Sequence, residues 1–244
     1  MVPKKETEEI EETSEKGMDS EESENRTIVV PGEVIAEGND FLPGEGTRRE
    51  GKEILAQRFG LLEKNNKLVK IIPLSGAYVS RPGNVIIGRI IDITFNGWII
   101  DILSTHEAFL SIMECYGYVN KRDLTELYDF NDLIVAKIKS VKARSIDLSM
   151  KERGFKKLEG GMLVRINSTR VPRVIGKAGS MVGMIKDETG CDIIVGQNGL
   201  VWINGDKIEN ELLAKKAIEM IVEKPFQEGL TEKVKEFLSK SKVK

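Results

Sequence analysis

The sequence has 244 residues, of which 31% are charged and 40% hydrophobic, and its formal net charge is −2. This length suits one large domain or two to three small ones, and no run of 18 apolar residues is present that could span a membrane. Two distant cysteines and a single histidine exclude a disulfide framework and argue against a His-rich metal site, so we expect neither metal nor cofactor. Because the N-terminus lacks the apolar stretch of a signal peptide, we expect a cytoplasmic protein.

The first residues are strongly acidic. Residues 1–24 contain ten acidic and three basic side chains, and few large apolar ones. Such a segment cannot offset its ordering entropy by burial, so we predict that residues 1–25 are disordered. Two roles stay open: a solubilising leader, or a tail that competes with a polyanion for the mildly basic remainder of the chain.

Residues 26–79 are predicted to form a small β-rich domain. Short strands are expected at the start near Thr27, and at 53–59, 67–72 and 77–79, separated by turn residues. Gly46–Lys52 fits the first seven positions of a phosphate-binding P-loop. Glu53 stands where Mg²⁺ coordination needs Ser or Thr, so nucleotide hydrolysis is disfavoured.

Residues 80–153 are predicted to form a five-stranded OB barrel. Five apolar stretches of five to nine residues are bounded by turn signals such as Asn96-Gly97. A polar insert at 118–128 after the third stretch supplies the helical turn expected at that place in an OB fold. The five stretches are 85–93, 98–103, 108–112, 133–141 and 145–150.

Residues 158–224 show the order β-α-α-β-β-α, and a last amphipathic helix is predicted within 225–244. Strands are expected at 162–167, 191–195 and 200–203, the last two forming a hairpin around Asn198-Gly199. Ser180 is predicted to be the N-cap of the second helix, which Gly190 ends.

The loop Gly176-Lys177-Ala178-Gly179 carries the functional argument. Glycines lack a Cβ atom, so a sugar-phosphate backbone can approach the main chain closely. The loop leads into a helix N-terminus, where free N–H groups attract phosphate. Between Arg165 and Gly190 there are five basic and two acidic residues. This positive excess is typical of a phosphate-binding face, and its candidate contacts are Gly176, Lys177, Ala178, Gly179, Ser180, Arg170, Arg173 and Lys186.

This segment, with Val174-Ile-Gly-Lys-Ala-Gly as its signature, resembles a type I K-homology (KH) domain. In that family the GxxG loop clamps the backbone of about four nucleotides of single-stranded RNA. Residues 82–153 resemble the RNA-binding OB domain of the ribosomal S1 type, through Gly88-Arg-Ile-Ile-Asp-Ile and Gly97-Trp-Ile-Ile-Asp-Ile. Candidate contacts there are Arg89, Lys142, Arg144, Phe95 and Phe109, whereas Trp98 faces either the core or the RNA.

The order of an OB domain, one KH domain and a preceding β-rich unit resembles the Rrp4-type cap subunits of the exosome. Val29-Val-Pro-Gly-Glu, Val85-Ile-Ile-Gly-Arg and Gly199-Leu-Val-Trp-Ile carry this likeness, and the compact size favours the archaeal form. The resemblance implies a non-catalytic subunit, three copies of which cap an RNase PH-like ring, alone or with another cap subunit. It would direct the 3′ end of single-stranded RNA into the ring. The alternative is a NusA-like regulator that binds RNA without a ring.

Overall fold

The computed structural model describes residues 27–115, 124–223 and 229–242. The chain divides into two compact units, and the boundary lies between Leu74 and Ser75. The predicted disordered tail, and part of the predicted insert at 118–128, lie outside the described residues. Short β-strands dominate both units, and helices occur in the second. The fold is therefore multidomain, mainly β with an α+β part, as the sequence predicts.

The first unit consists of two small antiparallel-rich sheets around Ile54, Val69 and Ile71, which are buried. Its strands are β1 (Ile28–Val29), β2 (Val34–Glu37), β3 (Leu42–Pro43), β4 (Thr47–Glu50), β5 (Glu53–Ala56), β6 (Gly60–Asn65) and β7 (Leu68–Pro73). The sheet orders are β1-β6-β7-β3 and β2-β5-β4. The P-loop-like stretch is the β4–β5 hairpin, whose strands pair through Glu50 and Glu53.

The predicted strand at 77–79 is wrong. These residues have no strand structure and belong to the second unit, where Tyr78 is buried in the barrel core. The Tyr78 hydroxyl donates a hydrogen bond to Asn84 Oδ1 over 2.8 Å. In this β-prone triplet, Tyr78 alone is buried, and it packs against the barrel core instead of forming part of a strand.

The predicted OB barrel is confirmed. Its strands are β8 (Val85–Thr94), β9 (Gly97–Asp101), β10 (Ala108–Ser111), β11 (Leu133–Val141) and β12 (Ile146–Ser149). The order β12-β10-β9-β8-β11, with a further β11–β12 pairing, closes the sheet on itself. The β10–β12 pair is parallel, and the other barrel pairs are antiparallel. A 3₁₀ turn at Ile112–Glu114 follows the third strand.

Alternation along the strands sends one set of side chains into the barrel and the other outward. Ile86, Ile90, Trp98, Ile100 and Leu110 point inward and are at most 1% exposed. The Trp98 indole N–H donates to the Tyr128 carbonyl over 3.0 Å, and the two rings meet edge to face. Trp98 is therefore a core residue.

The KH fold is also confirmed. After β13 (Lys157–Leu158) come β14 (Met162–Arg165), α1 (Val171–Ile175), α2 (Ser180–Thr189), β15 (Asp192–Val195), β16 (Leu200–Asn204) and α3 (Ile208–Glu223). The antiparallel sheet has the order β14-β16-β15. One face of this sheet is covered by the helices, including the predicted last helix, α4 (Leu230–Lys242).

The other face of the KH sheet packs on the outside of the barrel. Ile87 and Val135 of the barrel form one buried cluster with Leu158 and with Leu200 and Trp202 of the KH sheet. Beside this cluster, the buried Asn198 amide donates to the Ile87 and Ile102 carbonyls over 2.7 and 2.9 Å. The two domains are therefore held together by an apolar contact and by hydrogen bonds from the Asn198 side chain to main-chain carbonyls of the barrel.

Candidate nucleic-acid interface

The GxxG loop is open and is built on left-handed backbone. The φ angles are 76° at Gly176, 52° at Ala178 and 80° at Gly179. Lys177–Gly179 form a single tight turn, closed by a hydrogen bond from Gly179 N to Gly176 O. The side chains of Lys177, Ala178 and Ser180 are exposed. A ligand can therefore reach both the main chain and the Lys177 ammonium.

The two glycines serve different purposes. A Cβ on Gly176 would lie 2.7 Å from both the main-chain N and the Cβ of Met181, so this position must lack a side chain for the loop to pack on α2. A Cβ on Gly179 would meet nothing within 4 Å. Gly179 thus leaves bare main chain on the open side of the loop, where a polynucleotide backbone could approach.

Ser180 is not the N-cap of α2, so that prediction is wrong. The N-cap is Gly179, and Ser180 already has helical angles (φ −61°, ψ −37°). Because the backbone of Ala178 is left-handed, the preceding turn ends there, and α2 begins one residue earlier than the sequence pattern indicates. Since Gly179 has no side chain, no side-chain acceptor caps the helix. The first N–H groups of α2 are then left for solvent or for an anionic ligand.

The basic residues around the loop differ in their availability. Arg173 is exposed on α1, one turn before the loop, and Arg170 is half-buried at the N-cap of the same helix. Lys186 Nζ lies 3.2 Å from Asp192 Oδ1, and Lys156 lies 3.6 Å from the other oxygen of that carboxylate. The charge of Lys186 is therefore partly offset, and Arg173 and Lys177 are the more accessible charges.

The candidate contacts on the barrel lie on its outer face or in its turns. Phe95 is 90% exposed at the β8–β9 turn. Phe109 is half-buried and pairs across the sheet with Ile99, on the face opposite to the core. Arg89 and Arg144 are exposed. Both aromatic rings are thus placed where a base could reach them.

Lys142 already has a protein partner. Its Nζ lies 2.7 Å from Asp147 Oδ2, to which the Ser140 hydroxyl also donates over 2.7 Å. These two contacts hold the pKa of the Asp147 carboxyl below its usual value. A phosphate would have to compete with Asp147 for this ammonium, which makes Lys142 a weaker candidate than Lys177.

Asn198 is a structurally important residue that the sequence analysis assigned only to a turn. An Asn-Gly pair signals a hairpin, and the hairpin is present, but the pattern carries no information on what the amide contacts. Among the described residues, no group of three or more His, Cys, Asp or Glu side chains is arranged to hold a metal ion. Within the same residues, the helices lack the length and apolar character needed to cross a bilayer.

Comparison with known proteins agrees with this architecture. The family model of the KH domain matches residues 161–209, and that of the exosome RNA binding protein RRP4 N-terminal domain matches residues 26–75. The exosome complex component Rrp4 of Methanobrevibacter smithii is 42% identical over 217 residues, which cover 88% of this chain and 72% of that protein. The same component of Methanothermus fervidus is 41% identical, with 88% and 96% covered.

One solved structure extends the comparison to three dimensions. A crystal structure described as that of an exosome complex RNA-binding protein matches with a TM-score of 0.62 at 30% identity, covering 69% of this chain and 98% of that one. The sequence identity is near 40% and extends over almost the whole length of the Methanothermus fervidus protein, so it shows the family. The chain belongs to the Rrp4 family of exosome complex components.

Proposed function

We propose that this chain is a non-catalytic RNA-binding cap subunit of the exosome, which captures single-stranded RNA in the cytoplasm. The observation that carries the proposal is the open GxxG loop, with bare main chain at Gly179 and an exposed Lys177 at the mouth of α2. The names of its Rrp4 relatives place those proteins in the exosome complex, which supports the same complex as the setting for this chain.

The loop would bind the RNA backbone rather than particular bases. Its N–H groups and the positive end of α2 favour phosphate, and Lys177 and Arg173 add charge without base-specific geometry. Phe95 and Phe109 on the barrel offer stacking surfaces that accept any base. A cap subunit that handles RNA of many sequences requires this kind of backbone-directed binding.

Three copies would sit on a hexameric ring of RNase PH-like subunits, alone or with another cap subunit. The β-rich first unit and the barrel would contact the ring, and the KH domain would lie towards the periphery. Several weak RNA sites around one pore raise the local concentration of the substrate. The 3′ end would then enter the ring, where phosphorolysis takes place.

Co-assembly with the ring tests this assignment against a regulator that binds RNA alone. The purified chain is mixed with RNase PH-like ring subunits, and the mass of the product is measured by light scattering. We expect the ring mass to rise by three chains of 27.3 kDa each. Chains that stay separate from the ring would instead support the NusA-like alternative.

Two controls accompany this experiment. The variant Lys177→Asp/Ala178→Asp should still join the ring, because the altered loop lies in the KH domain. The isolated chain should not shorten RNA, since the proposal places all chemistry in the ring. RNA shortening that persists through stringent purification would contradict the non-catalytic role.

A further inference from the structure

A second basic site lies at the junction of the barrel and the KH domain. Here a cleft of about 300 Å³ opens beside the buried cluster that joins the two domains. We call it the junction cleft, and its walls include Arg89, Asp101, Leu103, Leu133, Leu163 and Arg165. This volume is in the range of pockets that hold small ligands.

The strand register explains how these side chains come together. On the barrel, Arg89 of β8 pairs directly with Leu133 of β11 on one side and with Asp101 of β9 on the other. These three side chains therefore stand in a row on the outer face. On the KH sheet, Leu163 and Arg165 are two residues apart on β14, so they point to the same side. The docking of the two sheets brings both sets to one cleft.

The two arginines are available for a ligand. Arg89 and Arg165 are exposed, and the described residues provide no ion-pair or hydrogen-bond partner for either guanidinium. Lys142 and Lys186, in contrast, are paired with Asp147 and Asp192. Two unpaired guanidinium groups, one on each domain, form a place for an anion, because the planar guanidinium group suits phosphate oxygens.

Between the arginines the cleft is apolar and carries one acceptor. Leu103, Leu133 and Leu163 offer a surface for the flat face of a base. Asp101 Oδ1 accepts a hydrogen bond from Leu103 N over 2.9 Å, and Leu103 has a φ of 56°, which is unusual for a side chain of this size. This turn directs Leu103 into the cleft. The second Asp101 oxygen can accept from a base amino group or from a ribose hydroxyl.

The residues around the junction cleft indicate on which side of it a polyanion can bind. Leu103 and Arg165 also line an adjoining cavity of about 650 Å³, which Glu219 and Glu223 border elsewhere. Carboxylates repel phosphate, so Glu219 and Glu223 disfavour a polyanion in that cavity, whereas the two arginines outweigh the single carboxylate of Asp101 in the junction cleft. The KH helices, and with them the GxxG loop, cover the face of the sheet opposite to the barrel. The cleft is therefore a site separate from that loop.

We propose that the junction cleft binds one nucleotide of the single-stranded RNA, with its phosphate between Arg89 and Arg165 and its base on the leucines. The proposal rests on the RNA-binding function proposed above and adds a second contact point for the same strand. Because the arginines come from two domains, the site exists only while the KH domain and the barrel stay docked.

The test is the salt dependence of RNA affinity in the full chain. Fluorescence anisotropy of a labelled single-stranded RNA is measured from 0.05 to 1 M salt for the wild type and for Arg89→Gln/Arg165→Gln. Loss of this one phosphate contact should lower the slope of log affinity against log salt by about 0.7, which is about fivefold between 1 M and 0.1 M salt. Arg89→Lys/Arg165→Lys should keep most of this slope, because the charges remain.

A matched control removes two charges elsewhere. Lys216 and Lys235 are exposed on α3 and α4, so Lys216→Gln/Lys235→Gln makes the same change in net charge on the helical face. We expect its slope to equal that of the wild type. Circular dichroism and thermal unfolding show that each variant is folded.

Three outcomes decide the matter. A reduced slope in the arginine variant alone supports the junction cleft. Wild-type affinity in that variant, while Lys177→Asp/Ala178→Asp binds weakly, overturns the cleft and leaves the proposed function in place. If the wild type itself fails to bind single-stranded RNA, both proposals are overturned.

Discussion

Asn198 of the KH hairpin and Ile87 of the barrel hold each other by two hydrogen bonds. The Asn198 amide donates to the Ile87 carbonyl over 2.7 Å, and Ile87 N donates to Asn198 Oδ1 over 3.3 Å. The same amide reaches the Ile102 carbonyl at 2.9 Å. One side chain of the KH domain thus satisfies main-chain groups of β8 and of Ile102, which directly follows β9, and so fixes the register of the two domains.

Asn198→Ala should therefore destabilise the docked pair of domains. It leaves buried main-chain groups without partners, each costing about 1–3 kcal/mol, so we expect a loss of about 3 kcal/mol in the free energy of unfolding. Gln197→Ala is the matched control, because Gln197 makes an exposed bond to Val85 N, and it should cost less than about 1 kcal/mol. Equal urea midpoints for the two variants would contradict the role given to Asn198.

The two glycines of the GxxG loop should respond differently to substitution. Gly176→Ala places a Cβ against the main chain of α2, so it should lower the melting temperature clearly. Gly179→Asn should leave the melting temperature nearly unchanged, because Asn tolerates left-handed angles and the position is open. The Asn side chain should nevertheless reduce affinity for single-stranded RNA, since it covers the bare main chain. Wild-type affinity in Gly179→Asn would show that RNA does not contact this position.

Substitutions of aromatic residues in the barrel distinguish effects on RNA binding from effects on stability. Phe95→Ala should leave the free energy of unfolding nearly unchanged, because the ring is 90% exposed. It should weaken RNA binding by about 1–3 kcal/mol if a base stacks there. Met113→Ala, at 78% exposure, controls for a loss of surface apolar area. Trp98→Ala should instead cost about 3–5 kcal/mol of stability, and anisotropy together with urea unfolding distinguishes these cases.

The Lys142–Asp147 pair makes a prediction about pH. The pKa of Asp147 lies below its ordinary value of 3.8 in the folded chain. The stabilising contribution of the pair is therefore present above about pH 4 and is lost as the pH falls through the folded-state pKa. Lys142→Gln should raise this pKa and cost at most about 1 kcal/mol at pH 6, because the pair lies at the surface. An NMR titration in which the Asp147 pKa does not change would contradict the pairing.

The sequence predicts the elements whose pattern is local. Apolar stretches bounded by turn residues predict the five barrel strands, although they leave Trp98 open between the core and the RNA, and the paired glycines mark the candidate GxxG loop. The sequence pattern places the N-cap at Ser180 instead of Gly179, because the start of α2 depends on the left-handed angle of Ala178, which no local preference favours. The sequence pattern does not predict β6, because the polar end of this strand, Glu63-Lys64-Asn65, resembles a turn.

Contacts between domains were beyond the reach of sequence patterns. The Asn-Gly pattern predicts a hairpin turn at Asn198 but carries no information on what the side-chain amide contacts. The buried hydrogen bonds of Asn198 form only when the KH sheet packs on the barrel. The sequence pattern places Arg165 at the start of a positive segment and assigns no role to Asp101. Their meeting with Arg89 depends on the packing of the KH sheet on the barrel, which is decided far from either residue in sequence.

RNA binding by Lys177→Asp/Ala178→Asp tests the central claim most directly. Asp is tolerated at left-handed angles better than most residues, so the fold should survive, and Lys216→Asp/Lys235→Gln makes the same change in net charge on the helical face. In an anisotropy titration with labelled single-stranded RNA at 0.1 M salt, we expect at least about a tenfold loss of affinity for the loop variant alone. Affinity equal to that of the wild type in the folded loop variant would show that the GxxG loop does not hold the RNA.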